Sequence, residues 1–285
     1  MSKIGLFCTP DTNETLINSF LNAKNIHHSA ICIDLSSNAP EQANSTNPFL
    51  LISNSDILIF DVSQPEWYNL AIESIQQSKH IILLNPYFLR HEQIKYLQML
   101  SIEAEIMIQP HISPKAIALS KLFKNTSYLK IEIYTNISFW EKHEYNKHYT
   151  TICDIVAALM HGKIKKCYSY SSRHNNKEMS INGTYISFIN GNSVHIEINT
   201  NNKDSFNFQI KICDEEKTGS LEWTDNAINL IYYKTGSTIT ENIEYKAESF
   251  LNEAINGTIT GIHAYKITDF LSALRIFEEL KKNAS

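Results

Sequence analysis

Through the first 110 residues, short apolar runs alternate with stretches that repeat at helical spacing. KIGLFC precedes TNETLINSFLNAK, and SAICID follows as a second run. SDILIFDV leads into PEWYNLAIESIQQSK, and HIILL leads into LRHEQIKYLQMLSIEA and then EIMIQP. This alternation is the pattern of βαβ units, and it restricts this half to a parallel sheet covered by helices. Strands buried on both faces need no polar alternation, which is why these runs read as continuously apolar. PEWYNLAIESI carries helix-start chemistry, with Ser63 as a cap, Pro65 in the first turn and Glu66 at the positive end. Between Asp34 and Asn54 the chain is polar and turn-rich, with room for one short helix or none.

All seven prolines lie in the first 114 residues, and beyond them the pattern changes. YLKIEIYTNISFW reads as a long strand, and NKHYTTICDIVAALMHG reads as a helix with Ile152, Ile155, Val156 and Leu159 at helical spacing. Gly162 is placed to end that helix. Then come KIKKCYSYSS, TYISFIN, SVHIEINT, SFNFQIKIC, GSLEWTD and AINLIYYK, strands joined by short polar turns. Asn190-Gly191-Asn192 between two of them is a hairpin signal. Consecutive strands of this kind predict an antiparallel sheet with one polar and one apolar face. Two helical stretches, EYKAESFLNEAING and KITDFLSALRIFEELKK, close the chain. The expected fold class is therefore α/β plus α+β: a Rossmann-like parallel-sheet domain over 1–110, then a domain over 111–285 with a large open, mainly antiparallel sheet.

Composition removes several function classes. A net charge of −5 supplies no basic field for nucleic acid. No apolar run approaches the roughly 20 residues of a membrane span. Asp11, Asn13 and Glu14 interrupt any signal-peptide pattern, and the five cysteines are scattered with no CxxC pair. These features predict a cytoplasmic protein with reduced thiols. No His, Cys or Asp pair has metal-ligand spacing, so no metal is expected.

The organisation resembles that of the Gfo/Idh/MocA oxidoreductases. Three stretches carry the resemblance, in matching order and spacing. SDILIFDVSQPEWYNLAIESIQQSKHIILLNP resembles the family's run into its Glu-Lys-Pro motif. CDIVAALMHG resembles the first helix of the open-sheet domain. ESFLNEAINGTITGIHAYKITDFLSALRIFEELKKNAS resembles the closing helices that return to the nucleotide domain. The resemblance implies an NAD(P) cofactor, a sugar-like or polyol substrate, a turn at Pro86 with a cis peptide, and a homodimer formed through the open sheet.

The functional positions depart from the family's pattern. In a Rossmann fingerprint three glycines serve the tight turn, the approach of backbone to pyrophosphate, and helix–strand packing. Aligned on KIGLFC, those positions are Cys8, Pro10 and Asn13. Pro10 removes an N–H donor where a diphosphate needs one. The turn is either purely structural or still holds an anion through Thr9, Thr12 and the remaining amides. Asp34 ends the second strand, where an acid accepts from a ribose hydroxyl or simply makes a turn with Ser36 or Ser37. Pro65 and Pro86 complete the cofactor-side candidates.

Where the family carries Glu-Lys-Pro this chain has Leu84-Asn85-Pro86. Asn85 offers a hydrogen bond but no charge to stabilise an alkoxide-like oxygen. The family's H-x-x-D pair falls on Thr151 and Asp154. His148, one turn earlier, and His111, in IQPHISP, are the titratable candidates that remain. His27 and His28 read as surface residues. All three glycines, the Lys and the His have changed together. The expectation is a degenerate homologue with no NAD(P) binding or only weak binding, and a binding, regulatory or scaffold role. The alternative is an atypical NAD(P)-dependent oxidoreductase acting on a sugar-like ligand. Outward-facing aromatics among Tyr168, Tyr170, Tyr185, Phe188, Phe206, Phe208, Tyr232 and Tyr233 would serve the dimer.

Overall fold

A computed structural model describes residues 3–8, 27–33, 47–110, 114–136, 144–173, 180–201, 207–223, 227–234, 237–244, 254–255, 257–258 and 267–282. The chain divides into two compact units. One comprises Met1–His111 and Lys246–Leu271, the other Ile112–Tyr245 and Ser272–Ser285.

The first unit is built on a five-stranded sheet of order β2-β1-β3-β4-β5. Its strands are β1 (Lys3–Cys8), β2 (His27–Ile33), β3 (Ile57–Asp61), β4 (His80–Leu84) and β5 (Ile108–Pro110). Every pairing is parallel. β1 from Ile4, all of β3, and β4 from Ile81 are buried, the signature of a sheet covered on both faces. Helices α1 (Pro48–Asn54), α2 (Pro65–Gln76) and α3 (His91–Glu103) join the strands. The turn-rich stretch before Asn54 thus holds one short helix among its described residues. α1 lies so close to β1 that a Cβ on Gly5 would fall 2.8–2.9 Å from Leu58, Ser55 and Leu51.

Prolines punctuate this unit where their missing N–H does no harm. Pro48 and Pro65 open α1 and α2, Pro86 opens a 3₁₀ turn, and Pro110 ends the edge strand β5. Two expectations are corrected. Gln64, not Ser63, is the N-cap of α2 and makes no side-chain cap bond. Ser63 instead donates its backbone N–H to the Asp61 carboxylate two residues back, at 3.1 Å. The described residues contain no cis peptide, so the bond before Pro86 is trans and Asn85 makes the turn in the left-handed region instead.

The second unit is built on an eight-stranded sheet of order β13-β12-β11-β10-β6-β9-β8-β7. After α4 (Pro114–Leu122) come β6 (Thr126–Asn136) and α5 (Glu144–Leu159). β7 (Ile164–Arg173), β8 (Ser180–Phe188) and β9 (Ser193–Asn201) form one meander. β10 (Asn207–Asp214), β11 (Lys217–Trp223), β12 (Ala227–Lys234) and β13 (Ser237–Glu244) form another. β6 lies between them, antiparallel to β10 and parallel to β9. That one parallel pair stands among antiparallel ones, so the sheet is mainly antiparallel, as expected. Strand polarity depends on which strands become neighbours, and β9 pairs with residues 65 positions earlier in sequence, Tyr128 with Ser193 for example. The Asn190–Asn192 hairpin appears between β8 and β9, with Gly191 at φ +93°. α6 (Ile267–Lys282) closes the described chain.

Strand parity sorts the side chains. Leu129, Ile131 and Ile133 of β6, with Ile196 and Ile198 of β9 and Ile210 and Ile212 of β10, form the buried face. α5 packs against α4 and β6. The other face carries Tyr168, Tyr170, Ile181, Ile231 and Tyr233, all exposed, while Phe188 and Phe208 are buried. Phe206 lies outside the described residues. At the centre of this outer face Lys130 Nζ donates to Glu132 Oε1 at 2.7 Å. Lys211 reaches the other Glu132 oxygen at 3.5 Å and Glu197 stands 4.0 Å from Lys130. Burial pushes the Glu132 carboxyl up, but the Lys130 hydrogen bond and the charges of Lys130 and Lys211 outweigh it, and the net direction is down. The same hydrogen bond holds the Lys130 ammonium above its ordinary range.

Two outcomes follow for stability. Ile131→Ala leaves a void between β6 and the helix layer and should lower unfolding free energy by about 2–5 kcal/mol in a urea titration. The lowered Glu132 contributes stability above the ordinary carboxylate range and loses it as pH falls through its folded value; the raised Lys130 contributes below the ordinary lysine range and loses it as pH rises through its folded value. Glu132→Gln should therefore reduce stability at neutral pH and flatten both the acid and the alkaline limb of a Tm-versus-pH profile.

Candidate functional site

In a doubly wound sheet the crevice lies beyond the carboxyl ends of the strands, where strand order reverses. Here the reversal falls between β1 and β3: the chain proceeds to β2 on one side and to β4 and β5 on the other. Cys8 ends β1 and Asp61 ends β3 at this point, and both are buried.

Asp61 organises the edge. It is 2% exposed, and its Oδ1 accepts both the Ser63 N–H at 3.1 Å and the Asn85 amide NH₂ at 2.9 Å. β3 and β4 run side by side with Asp61 opposite Leu84, so the residue after β4 arrives beside this carboxylate. Asn85 sits at φ 51°, ψ 43°, a left-handed conformation that asparagine tolerates better than most residues. Its carbonyl starts the 3₁₀ turn, accepting from Phe88 N at 3.1 Å. Pro86 is buried behind it. Asn85 is thus explained as a turn residue locked to a buried acid. Its amide keeps a second N–H and the carbonyl oxygen as remaining polar groups.

Behind the edge, Phe7 stacks on Phe60 with centroids 4.5 Å apart and meets Trp67 at 5.3 Å. Trp67, third residue of α2, is 8% exposed, and its indole N–H is buried with no partner among the described residues. At the far side Thr258 Oγ1 lies 2.9 Å from the Ala254 carbonyl and 3.2 Å from Gln109 on β5, all within the first unit.

The other predicted residues fall as follows. Pro65 opens α2. Thr9, Thr12, Asp34 and His111 lie outside the described residues, as do Pro10 and Asn13. Thr151 and Asp154 share one face of α5, three residues apart, with Asp154 buried and Thr151 half-buried. His148 is on the same helix, one turn earlier. Between Thr151 and Asp154, Cys153 is fully buried, and burial, followed by the charges of Asp154 and Cys167, pushes its thiol well up, the setting of a structural thiol. Sequence reasoning missed Asp61 and Trp67. An Asp ending an apolar run two residues before Ser63 was a readable turn signal for the first. The indole had no signal beyond its place in the first turn of a helix.

Known proteins were compared with this arrangement. No family model matches the sequence, and no curated protein matches it at a significant level. Solved structures do match in fold. UDP-N-acetylglucosamine 3-dehydrogenase from Acidithiobacillus ferrooxidans aligns over 99% of this chain and 97% of its own, with a TM-score of 0.76 and 11% identity. A dehydrogenase (MviM) from Clostridium difficile aligns over 99% of both chains, with a TM-score of 0.69 and 11% identity. Synechocystis biliverdin reductase, solved with biliverdin and NADP+, aligns over 99% of this chain and 98% of its own at TM-score 0.66 and 13% identity. The chain has the Gfo/Idh/MocA-type two-domain fold.

That fold implies a dinucleotide, so the edge residues must be tested against one. A dinucleotide brings two phosphate charges. The turns beyond β3 and β4, residues 61–64 and 84–89, carry one carboxylate and no Lys, Arg or His. The Asn85 amide donates one N–H to that carboxylate. Among the described residues these two turns thus offer a dinucleotide hydrogen-bonding groups and no cation, the first one in sequence being Arg90 at the start of α3.

The Asp61–Asn85 couple is open to direct measurement. Asn85→Ala loses the bond and strains the left-handed residue, and should lower stability by about 1–3 kcal/mol in chemical denaturation. Asn85→Gly accepts the same φ and should lie closer to the parent.

Proposed function

We propose that this chain is a catalytically degenerate homologue of the Gfo/Idh/MocA-type oxidoreductases, which uses the fold for binding, regulation or scaffolding rather than for hydride transfer. One observation carries the reading: the Asn85 amide is spent on a buried carboxylate inside a left-handed turn. Hydride transfer from an alcohol develops negative charge on oxygen, and a positioned cation there is worth about 100- to 1000-fold in rate. An amide donating to Asp61 supplies neither charge nor a titrating proton. Pro10, in the turn where backbone donors would meet a diphosphate, weakens cofactor binding in the same direction.

Isothermal titration with NADH and with NADPH is expected to give no binding or only weak binding. Micromolar affinity together with turnover of a polyol or sugar would overturn the proposal. Asn85→Lys restores the missing side chain but not the glycines, and is expected to leave the protein inactive.

A second reading rests on a separate observation. The indole N–H of Trp67 is a buried donor beside the switch point without a partner among the described residues. A ligand bound at this switch point would answer it, and the alternative function is an atypical NAD(P)-dependent oxidoreductase acting on a sugar-like or polyol substrate, with His111 or His148 as the candidate proton carrier. The dehydrogenase named above, which acts on a nucleotide sugar, is consistent with such a ligand. If activity were found, loss on His111→Ala or His148→Ala would support this reading.

The proposed assembly is a homodimer through the outer sheet face. Supporting it are the exposed Tyr168, Tyr170 and Tyr233 around a cluster of two lysines and two glutamates, a pattern able to meet its own copy. Light scattering after size-exclusion chromatography should report twice the chain mass, and Tyr233→Asp should reduce it to the monomer.

A further inference from the structure

The outward faces of two neighbouring helices in the first unit differ in kind. On α2 the exposed side chains after the opening proline are Glu66, Asn69 and Gln76, the polar set expected where one face meets water. On α3 the exposed positions are Glu92, Lys95, Tyr96, Met99, Ile102 and Glu103. They recur at intervals of three and four, the spacing of a seam between helices. Ile94, Leu97 and Ser101 are the buried residues of α3, so this seam is not the face that packs on the core. Its middle is apolar: Tyr96 is 43% exposed, Met99 47% and Ile102 70%. Residues three apart on a helix are neighbours, so these three side chains form one continuous row. Single exposed apolar residues are ordinary, whereas a contiguous row rimmed by charge has the form of a contact surface.

The charges around the row say what covers it. Lys95 lies four residues before Met99 and Glu103 four residues after it, while Tyr96 and Ile102 lie three before and three after. Neither Lys95 nor Glu103 makes an ion pair among the described residues. Two copies of α3 laid antiparallel about a two-fold axis at Met99 bring Lys95 of each against Glu103 of the other. The same operation sets Tyr96 against Ile102 and Met99 against its own copy. A parallel pairing would set lysine on lysine and glutamate on glutamate, which repel. Opposite charges equidistant from an apolar centre are what an isologous contact requires, because each surface must complement itself.

We propose that the outward face of α3 is a self-association surface, on which two copies of this chain pair antiparallel about Met99. The surface belongs to the first unit and does not rest on the outer sheet face of the second. One helix face offers less than the roughly 800 Å² per partner of a standard interface, so the contact is weak and forms at high protein concentration.

Sedimentation velocity on the full chain, from about 10 µM to about 1 mM, reads this contact as a mass that rises with concentration above its dilute value. Tyr233→Asp, aimed at the outer sheet face, should lower the dilute mass and leave the rise in place. A parent chain that is monomeric when dilute would remove the sheet dimer and leave this contact to be read from the rise alone. Ile102→Asp, at an exposed position, should abolish the rise without lowering Tm. Lys95→Glu and Glu103→Lys should each weaken association about tenfold, and the double variant should restore it. A mass independent of concentration in the parent, a rise that survives Ile102→Asp, or charge reversals that fail to compensate each other would overturn the proposal.

Discussion

The second unit depends on β6. It is the only described strand that joins the two meanders, pairing with β10 on one side and β9 on the other. Its inward residues, Leu129, Ile131 and Ile133, are fully buried, so the sheet and its helix layer share one core line. Its outward residues Lys130 and Glu132 hold the ion cluster that reaches β9 and β10. One strand thus supplies apolar burial on one face and charge complementarity on the other.

The first unit turns on a smaller device. Parallel register brings the ends of β3 and β4 together, and Asp61 and Asn85 are the residues that meet there. A buried carboxylate needs donors, and it takes them from a turn amide and a backbone N–H. That arrangement stabilises the edge, because one N–H of the Asn85 amide answers the buried carboxylate while its left-handed backbone completes the turn.

Much of the architecture was readable because it rests on local patterns. Continuous apolar runs such as HIILL and ILIF mark strands buried on both faces, and period-two alternation in LKIEIY marks a strand with two unlike faces. Proline placement marked the start of α2 correctly because φ is restricted at that residue alone. The cap falls one residue after Ser63, on Gln64 directly before Pro65, while Ser63 N–H donates to Asp61 in the turn leading into the helix. The candidate site was less legible. Thr151 and Asp154 share a face by helical spacing alone, but the role of Asn85 depended on an acid 24 residues away in sequence.

By itself, the sequence determined the kind of elements and their order, since each of these is a property of residues close together along the chain. Only the tertiary structure decided that β6 and β9 run parallel, that Asn85 serves Asp61, and that the buried Thr126 hydroxyl is left without a partner among the described residues. Those outcomes depend on which distant segments become neighbours, and that is set by burying the apolar faces of whole sheets rather than by any local preference.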